Sequence, residues 1–317
     1  MTITATGAVS LGDLRTEFVG GIAAISFGDL YRGGSNIRKL AVDNTATNDA
    51  ASVPTAGAID MADFYSSAKS FTKTYSATAT DQDASAVFGA DYSVDYPKNI
   101  VIDSGVELGA TSVSEEALQI DAGGSGTITI TNNGTLSGAG GAAGAVGGDA
   151  FEADVTCTFI NNGTVRAGGG GGGTGGNGSY TSTSGNLGAG VYVAGSNSQT
   201  RRNLSCSRAG KGACYGSGQI DDGYVRCADN CRTSSTTNTY GGAGGVGAGY
   251  NQSSGTGAAG GTNAGTGGDG GGFGASGSTG TNGNVSNGSA GGSAGNYLNG
   301  SANCTFTNNG TVQGNTV

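Results

Sequence analysis

Histidine and tryptophan are absent from the 317 residues, and proline occurs only twice. Without histidine, no histidine-based catalytic triad can form. Two prolines cannot supply a collagen triple helix, although 67 residues are glycine. No apolar run reaches the ~18 residues of a membrane-spanning helix, and the first residues lack the basic and apolar regions of a secretory signal. If the protein acts outside a cell, we expect it to leave by lysis or inside a particle.

The charge of the chain is uneven. The net charge is −9, and residues 1–150 hold 7 basic and 17 acidic residues, whereas residues 151–317 hold 7 and 6. In the second half every basic residue except Arg166 lies between Arg201 and Arg232. A basic island on an acidic chain argues against general nucleic-acid binding. It favours a local site for an anionic or polar ligand.

Three related pieces near the N-terminus, at residues 9–15, 25–31 and 59–65, each place Ser or Asp before a short apolar stretch and an acidic residue three positions later. This pattern predicts an N-cap and a short helix. Helices this short are marginal in water. They therefore pack on each other, dock on a larger assembly, or do both. The candidate docking residues are the apolar ones, Leu11, Leu14, Phe18, Ile25, Phe27, Leu30, Tyr31, Ile59 and Phe64.

Residues 70–122 are short β-branched stretches bounded by Gly, Asp or Pro, which predicts a β connector. A repeat then begins, in which a strand is followed by Asn-Asn-Gly-Thr and a second short strand. Its copies are centred on Asn132, Asn161 and Asn308. Asn-Gly readily supplies two residues with positive φ, so we expect a tight hairpin or a corner at each copy.

Glycine recurs every third residue in the tracts that follow, for example at Gly138, Gly141 and Gly144, and again from Gly265 to Gly283. Three residues per turn is the period of an extended left-handed helix. With glycine at every third place one edge of that helix is bare, so neighbouring backbones can approach and hydrogen-bond. A flexible Gly/Ser linker is the alternative. The predicted fold class is mainly β and irregular, with short N-terminal helices, the β connector and a glycine-rich distal domain at residues 123–317.

The Asn-Asn-Gly-Thr turns with glycine tracts resemble the tail-fibre adhesins of contractile-tailed phages. The stretch Ile25-Ser-Phe-Gly-Asp-Leu-Tyr-Arg-Gly-Gly is similar to the start of fibre proteins of cyanophages and marine phages. The resemblance implies a distal domain of polyglycine II helices, variable segments that bind a host receptor, and a virion location exposed to the extracellular medium. It also implies that residues 1–69 attach to phage baseplate or tail proteins, and that the fibre is a homotrimer. The host receptor would be a cell-surface polysaccharide, a lipopolysaccharide or an outer-membrane protein.

By this resemblance the long insert at residues 179–240 becomes the receptor-binding segment. It combines tyrosines, which offer rigid amphipathic contact area, with basic residues that bind carboxylate or phosphate. A solvated loop with a purely structural role is the alternative. The candidate receptor-binding residues are Tyr180, Tyr192, Arg201, Arg202, Arg208, Lys211, Tyr215, Tyr224, Arg226, Arg232 and Tyr240.

Four of the six cysteines, Cys206, Cys214, Cys227 and Cys231, cluster in the insert. Zinc binding is an alternative here, but the spacing lacks a Cys-x-x-Cys pair, and we expect no metal and no cofactor. Disulfides Cys206–Cys214 and Cys227–Cys231 are preferred among three connectivities. Cys157 and Cys304 occupy the same place in two copies of the repeat, so a bridge between them is also predicted if their strands are neighbours.

Catalysis is not expected. The acids of the distal half are few, and the adjacent Asp221 and Asp222 would point to opposite faces of a strand, which makes a poor glycosidase pair. A polysaccharide depolymerase stays as an alternative, as does a glycine-rich cell-surface or ice-binding protein. Ice binding would need flat faces of regularly spaced Thr or Ala. Besides Asp221 and Asp222, the acidic residues of the distal half that could serve in catalysis are Glu152, Asp154, Asp229 and Asp269.

Overall fold

The computed structural model consists mainly of strands with a few short helices, which confirms the mainly β class. It describes residues 3, 9–20, 25–34, 36–41, 43–187, 191–194, 218–221, 224–227 and 230–317, with the backbone alone between 183 and 234. The helical segments are Leu11–Leu14, Arg15–Val19, Phe27–Leu30, Met61–Phe64, Ala84–Phe88, Gly89–Asp91 and Ser301–Asn303. The strands are β1 (Thr47–Asn48), β2 (Phe71–Tyr75), β3 (Ala79–Thr80), β4 (Gln82–Asp83), β5 (Lys98–Ile102), β6 (Glu107–Gly109), β7 (Leu118–Ile120), β8 (Ile128–Asn132), β9 (Thr135–Ser137), β10 (Phe151–Ala153), β11 (Cys157–Asn161), β12 (Thr164–Arg166), β13 (Gly178–Leu187), β14 (Val191–Ala194), β15 (Gly218–Asp221), β16 (Tyr224–Cys227), β17 (Asn230–Thr239), β18 (Asn296–Leu298), β19 (Cys304–Asn308), β20 (Thr311–Gln313) and β21 (Asn315–Thr316).

The three N-terminal helix starts carry the predicted caps. Ser10 is an N-cap whose amide donates to Asp13 Oδ2 at 2.8 Å, while Asp13 donates its own amide to Ser10 Oγ at 3.2 Å. The same reciprocal pair forms at Ser26 with Asp29 and at Asp60 with Asp63. Each box satisfies amides that a helix leaves without partners. The cap prediction is therefore confirmed at all three places.

The N-terminal helices share a core of their own. The Phe18 and Phe64 rings lie 5.8 Å apart, and Leu14 and Leu30 are buried beside them. These four candidate docking residues therefore lie inside the segment and cannot contact a partner directly. Leu11 is 44% exposed. The other candidate docking residues are partly buried, namely Ile25, Phe27, Tyr31 and Ile59.

From residue 71 the chain winds in coils, each of which places strands parallel to those of the coil before it. The first sheet has the order β1-β2-β5-β8-β11-β19, and every pair except β1–β2 is parallel. The second has the parallel order β20-β12-β9-β6-β3, and the third β10-β7-β4. This stacking is that of a parallel β-helix. The strands of residues 70–122 and those of residues 123–166 belong to the same sheets.

The interior of the coils is filled by side chains that stack in register. Ile100, Ile130, Phe159 and Phe306 occupy equivalent positions on successive strands of the first sheet. The Phe159 ring lies 5.2 Å from that of Phe306 and is fully buried. Burying a side chain of this size contributes roughly 2–3 kcal/mol.

The Asn-Asn-Gly-Thr repeats form the corners between the first and second sheets. The prediction of positive φ at these corners is wrong, because Gly134, Gly163 and Gly310 all lie outside the positive-φ region. Glycine is needed there for a different reason. A Cβ on Gly163 would lie 2.1 Å from the carbonyl oxygen of Gly134 in the coil below. Close stacking of the coils, not turn geometry, therefore selects the residue.

The asparagines of the corners form two ladders along the stack. Asn132 Nδ2 donates to Asn161 Oδ1 at 2.8 Å, and Asn161 Nδ2 donates to Asn308 Oδ1 at 2.7 Å. A second ladder, one residue further along the chain, joins Asn133, Asn162 and Asn309 at 3.0 Å. Asn161 is fully buried whereas Asn162 is exposed. The repeat thus provides one internal and one external column of amides.

Residues 167–295 are an insertion in the sequence between β12 and β18. The glycine-rich residues 138–148, 167–177 and 240–295 run as segments outside the three sheets. Residues 168–176 occupy the centre of this region. Their amides donate to three neighbouring segments in turn, and each segment is reached again after three residues. Written as donor to acceptor, the pairs are Gly168 to Gly148 and Gly171 to Ala145 for the first segment, Gly169 to Ala248 and Gly172 to Gly245 for the second, and Gly170 to Ala275 and Gly173 to Ser278 for the third.

Three further segments donate to the carbonyl groups of the central residues 168–176. Written as donor to acceptor, the pairs are Gly141 to Gly169 and Gly144 to Gly172, Gly271 to Gly170 and Gly268 to Gly173, and Gly295 to Gly168 and Gly292 to Gly171. Six segments therefore surround one. The three-residue period expected from the sequence is the period of these hydrogen bonds, which the linker alternative does not account for.

Asp91 joins the N-terminal segment to the coils. Its buried carboxylate accepts from the amide of Ala41 at 2.7 Å, from Asn44 Nδ2 at 3.2 Å and from Arg38 Nη2 at 3.0 Å. Burial raises the pKa of Asp91, but these three donors outweigh burial and hold it below its ordinary value. The residues before and after the segment boundary are thus fixed to one another.

Candidate functional site

The two ends of the insert form a long antiparallel ribbon that begins at the glycine-rich region. Its two strands, β13 and β17, pair over ten residues each, from Gly178 opposite Thr239 to Leu187 opposite Asn230. Ser182 lies directly opposite Ser235, and their hydroxyls are 3.0 Å apart. Beyond the ribbon, β14, β16 and β15 form a second antiparallel sheet.

Two asparagines clamp the base of the ribbon. Asn284 Oδ1 accepts from the amide of Ser179 at 2.8 Å, and its Nδ2 donates to the Ser179 carbonyl at 2.9 Å. Asn263 Nδ2 donates to the same carbonyl at 3.1 Å. Asn263 has a φ of +60°, a conformation that asparagine tolerates better than most residues. The clamp ties the ribbon to two separate segments of the glycine-rich region, and so fixes where it emerges.

The other strand is held in the same way. Thr239 Oγ1 donates to the Thr262 carbonyl at 2.7 Å, and the amide of Gly241 donates to Asn177 Oδ1 at 3.2 Å. Sequence reasoning missed Asn263, Asn284 and Asn177. The available signal was an amide side chain interrupting a tract of Gly, Ala and Ser, since such a side chain can both donate to and accept from the backbone, as Asn284 does.

The candidate receptor-binding residues fall into three groups. Tyr180 and Tyr240 flank the base of the ribbon and are 38% and 80% exposed. Tyr192 and Arg226 occupy opposite positions of β14 and β16, Tyr224 lies on β16, and Arg232 lies on β17. The residues outside the described part of the chain are Arg201, Arg202, Arg208, Lys211 and Tyr215. The structure therefore places Tyr180 and Tyr240 near the base of the ribbon and brings Tyr192 and Arg226 into register.

The surface around the ribbon base is neutral. Asp269 is the one charged residue of the described segments 167–187 and 241–317, and its Oδ1 accepts from the amide of Gly257 at 2.8 Å. The remaining side chains there are mainly hydroxyls and amides, such as Thr266 and Thr281, whose hydroxyls are 3.0 Å apart. Basic charge near this surface therefore comes from the insert alone.

Acidic side chains gather instead on the third sheet of the coils. Gln119 Nε2 donates to Glu152 Oε2 at 3.1 Å and to Asp154 Oδ2 at 3.3 Å. Burial, together with the Glu152, Asp149 and Glu115 carboxylates, raises the pKa of Glu116 to about 7. Burial also raises the pKa of Glu152. Of the acids considered for catalysis, Glu152 and Asp154 thus lie on a different face from the ribbon.

This acidic face gives the fold a pH dependence. Because the pKa of Glu116 is higher in the folded than in the unfolded chain, the unfolded state loses its proton first as the pH rises. Stability should therefore fall between about pH 4.5 and pH 7 and then stay level. Since Glu116 is only half-buried, the loss should be roughly 1 kcal/mol. Urea unfolding should give Glu116→Gln a higher free energy of unfolding than the unmodified protein at pH 8 but not at pH 4. Equal unfolding curves for the two proteins at both pH values would contradict the raised pKa of Glu116.

The predicted cysteine pairs have different outcomes. Cys157 lies directly opposite Cys304 on neighbouring parallel strands, as the predicted bridge required, and both are free thiols in the structure. The sulfurs of the four insert cysteines, Cys206, Cys214, Cys227 and Cys231, lie outside the described residues. Within the described part of the chain, no three His, Cys, Asp or Glu side chains are grouped to hold a metal. Nor does any helix in that part have the length and apolar character to span a membrane.

Comparison with known proteins covers the coils and the glycine-rich region. Residues 70–317 match the family model described as phage tail fibre adhesin Gp38. A solved structure, the gp37-gp38 adhesin tip complex of the bacteriophage S16 long tail fiber, is 16% identical over 80% of this chain and 85% of that chain, with a TM-score of 0.39. No curated protein sequence matches the chain. The family match begins one residue before the first strand of the coils and leaves the N-terminal segment outside.

Proposed function

Since the chain belongs to the Gp38 family of phage tail fibre adhesins, we propose that its insert binds a host-surface glycan or an outer-membrane receptor without catalysis. Family membership supports a receptor-binding role, a place in the virion tail and association with other tail fibre proteins. The proposal adds the segment that makes the contact, the insert at residues 179–240.

One observation carries this proposal. The ribbon grows from the central residues 168–176, which six surrounding segments hold by backbone hydrogen bonds. Asn263 and Asn284 then fix the direction of the ribbon. A rigid base reduces the entropy lost when the projecting segment binds. We infer that the surrounding segments are polyglycine II helices, because their bonding repeats every three residues and needs no side chain.

The ligand class follows from the residues that the insert adds to a neutral surface. Tyr180 and Tyr240 are exposed at the base. The six basic residues of the insert all lie between Arg201 and Arg232. Tyrosine and arginine are enriched in binding surfaces, and arginine binds carboxylate and phosphate through paired hydrogen bonds. An acidic polysaccharide or lipopolysaccharide is therefore the receptor class we propose.

Residues 1–69 are the segment we propose for attachment to the baseplate or tail. They have their own core, and the family match begins after them. Leu11 and the partly buried Phe27 supply exposed apolar surface, whereas the buried Leu14, Phe18, Leu30 and Phe64 hold the segment together. We propose the homotrimer on the resemblance to phage fibres alone.

A row of threonines on the first sheet bears on the ice-binding alternative. Thr72, Thr129, Thr158 and Thr305 occupy equivalent outward positions, interrupted by Asn99. This is a short, regularly spaced threonine row of the kind that the alternative requires. Membership of an adhesin family favours the receptor-binding proposal over it.

A shortened ribbon tests the proposal. Because Ser182 lies opposite Ser235, residues 183–234 can be replaced by Asn-Gly, which closes a two-residue hairpin. The clamp at Ser179 remains, so the variant should keep the melting temperature of the full chain. We expect adsorption of purified protein to host cells to fall by about tenfold or more, a loss of at least ~1.4 kcal/mol of binding free energy.

The matched control changes the same surface without touching the ribbon. Val285 is 61% exposed in the segment beside the clamp, and Val285→Ser should adsorb like the unmodified protein. Equal adsorption by the shortened variant, with its fold intact, would sink the assignment of the insert.

A further inference from the structure

The longest glycine-rich insertion, residues 167–295, leaves and re-enters the coils beside neighbouring strands. The chain leaves the coils after β12 and returns at β18, yet β11 and β19, on either side of this insertion, are adjacent parallel strands. Cys157 at the start of β11 is paired in register with Cys304 at the start of β19. Two residues 147 positions apart in the sequence therefore sit side by side where the insertion begins and ends.

The geometry of neighbouring strands suits a covalent bond between these cysteines. Paired residues of adjacent strands lie about 4.8 Å apart, inside the ~4.4–6.8 Å range of Cα separations in disulfides. Their register pairing places the two side chains next to each other, and each thiol shifts the pKa of the other. The pairing of the strands therefore brings the two cysteines within the Cα separation that a disulfide requires.

The two thiols differ in reactivity. The hydrogen bond from Cys157 lowers the pKa of Cys304, and the same bond raises the pKa of Cys157. The Phe159 amide also donates to the Cys304 sulfur and lowers its pKa further. Cys304 is partly exposed, whereas Cys157 is 3% exposed. Cys304 is therefore the thiol that a reagent in solution meets first, and it is the better nucleophile of the pair.

We propose that Cys157 and Cys304 are an oxidation site whose disulfide fastens the glycine-rich insertion to the coils. The oxidant is a small disulfide, such as oxidised glutathione. The Cys304 thiolate attacks one of its sulfurs and releases one thiol, which leaves a mixed disulfide on Cys304. Cys157 then gives up its proton, attacks the Cys304 sulfur and releases the second thiol. Two cysteine thiols and one small disulfide become one protein disulfide and two small thiols.

The disulfide would stabilise the folded state mainly by restricting the unfolded chain. Closing a loop of this length removes much of the freedom of the unfolded insertion. The folded state loses little, because β11 and β19 already hold the two residues in register. Oxidation should therefore raise the stability of the glycine-rich region and leave the ribbon surface as it is.

The first measurement maps the bond in the full chain. The reduced protein is incubated with oxidised glutathione, remaining thiols are blocked with N-ethylmaleimide, and digested peptides are analysed by mass spectrometry. We expect a cross-linked pair containing Cys157 and Cys304. Recovery of both residues as blocked thiols, or of either one linked to an insert cysteine, would overturn the proposal.

The second measurement isolates the effect of the bond. A variant with Cys206, Cys214, Cys227 and Cys231 changed to Ser leaves only the proposed pair. Oxidised glutathione should raise its melting temperature by about 5–10 °C, and dithiothreitol should reverse the change. Adding Cys304→Ser to this variant is the matched control and should abolish the shift. A shift that persists in the control, or a cross-link without any shift, would refute the fastening role.

Discussion

Replacing Gly172 with alanine is expected to disrupt the glycine-rich region. An added Cβ would lie 1.9 Å from the carbonyl oxygen of Gly268 and 2.5 Å from its carbon. These are backbone atoms of a segment that is itself hydrogen-bonded to the central residues 168–176. Because no flexible side chain can give way, the segments must separate. We expect a loss of more than ~4 kcal/mol, the range of the most damaging substitutions.

The effect should be local and is best measured residue by residue. Hydrogen exchange followed by mass spectrometry should show lost protection in residues 168–176 and in the segments around them. The coils, which have their own apolar core, should keep theirs. The Gly172 amide, which donates to the Gly245 carbonyl at 2.8 Å, should be among the first to exchange.

Gly272 provides the matched control for this substitution. It lies in the same region, but an added Cβ there meets no atom within 4 Å, and its φ is not positive. Gly272→Ala should be neutral or slightly stabilising, by about 0.4–1 kcal/mol, because alanine restricts the unfolded chain. If both variants kept full protection, the close packing around residues 168–176 would be refuted.

Patterns that act within a few residues could be predicted from the sequence. Ser10 and Asp13 are three residues apart, and their cap depends on nothing else in the chain. The glycine period likewise became the period of the hydrogen bonds. In both cases the sequence spacing itself determines the geometry, so no knowledge of the distant chain was needed.

Contacts between distant residues could not be predicted in the same way. A strand pattern of period two shows which side chains share a face, but it does not name the neighbouring strand. Nothing local indicates that β11 lies beside β19 across the whole glycine-rich insertion. The error at the corners has the same origin, since Gly163 is required by the coil below it and not by its own turn.

The residues of the candidate site also fall into those that the local sequence could predict and those that depend on distant contacts. Exposed tyrosines such as Tyr180 and Tyr240 could be selected from composition, because they stand in a tract with few other large side chains. Asn263 and Asn284 could not, since their role is to bind one carbonyl of a strand about a hundred residues away. The residues that orient the ribbon therefore became visible only once the segments were placed together.

Asn161→Ala is the substitution that we expect to damage the coils most, with a loss of about 3–4 kcal/mol. Asn161 is fully buried, and its amide donates to Asn308 Oδ1 at 2.7 Å and to the Thr311 carbonyl at 3.2 Å. Its Oδ1 accepts from Asn132 Nδ2 at 2.8 Å and from the amide of Gly163 at 3.2 Å. Alanine removes all four of these bonds at a fully buried position, including the bond from the buried Asn132 amide, and a buried hydrogen bond left unmade costs roughly 1–3 kcal/mol.

The neighbouring Asn162 separates burial from hydrogen bonding as the cause. It belongs to the second ladder, bonded at 3.0 Å to both Asn133 and Asn309, but it is exposed. Water can replace those bonds, so Asn162→Ala should cost less than about 1 kcal/mol. Urea unfolding of the two variants measures the difference directly. Similar losses in both would mean that the amide column contributes through its regular stacking alone, and that the desolvation of its inner members does not matter.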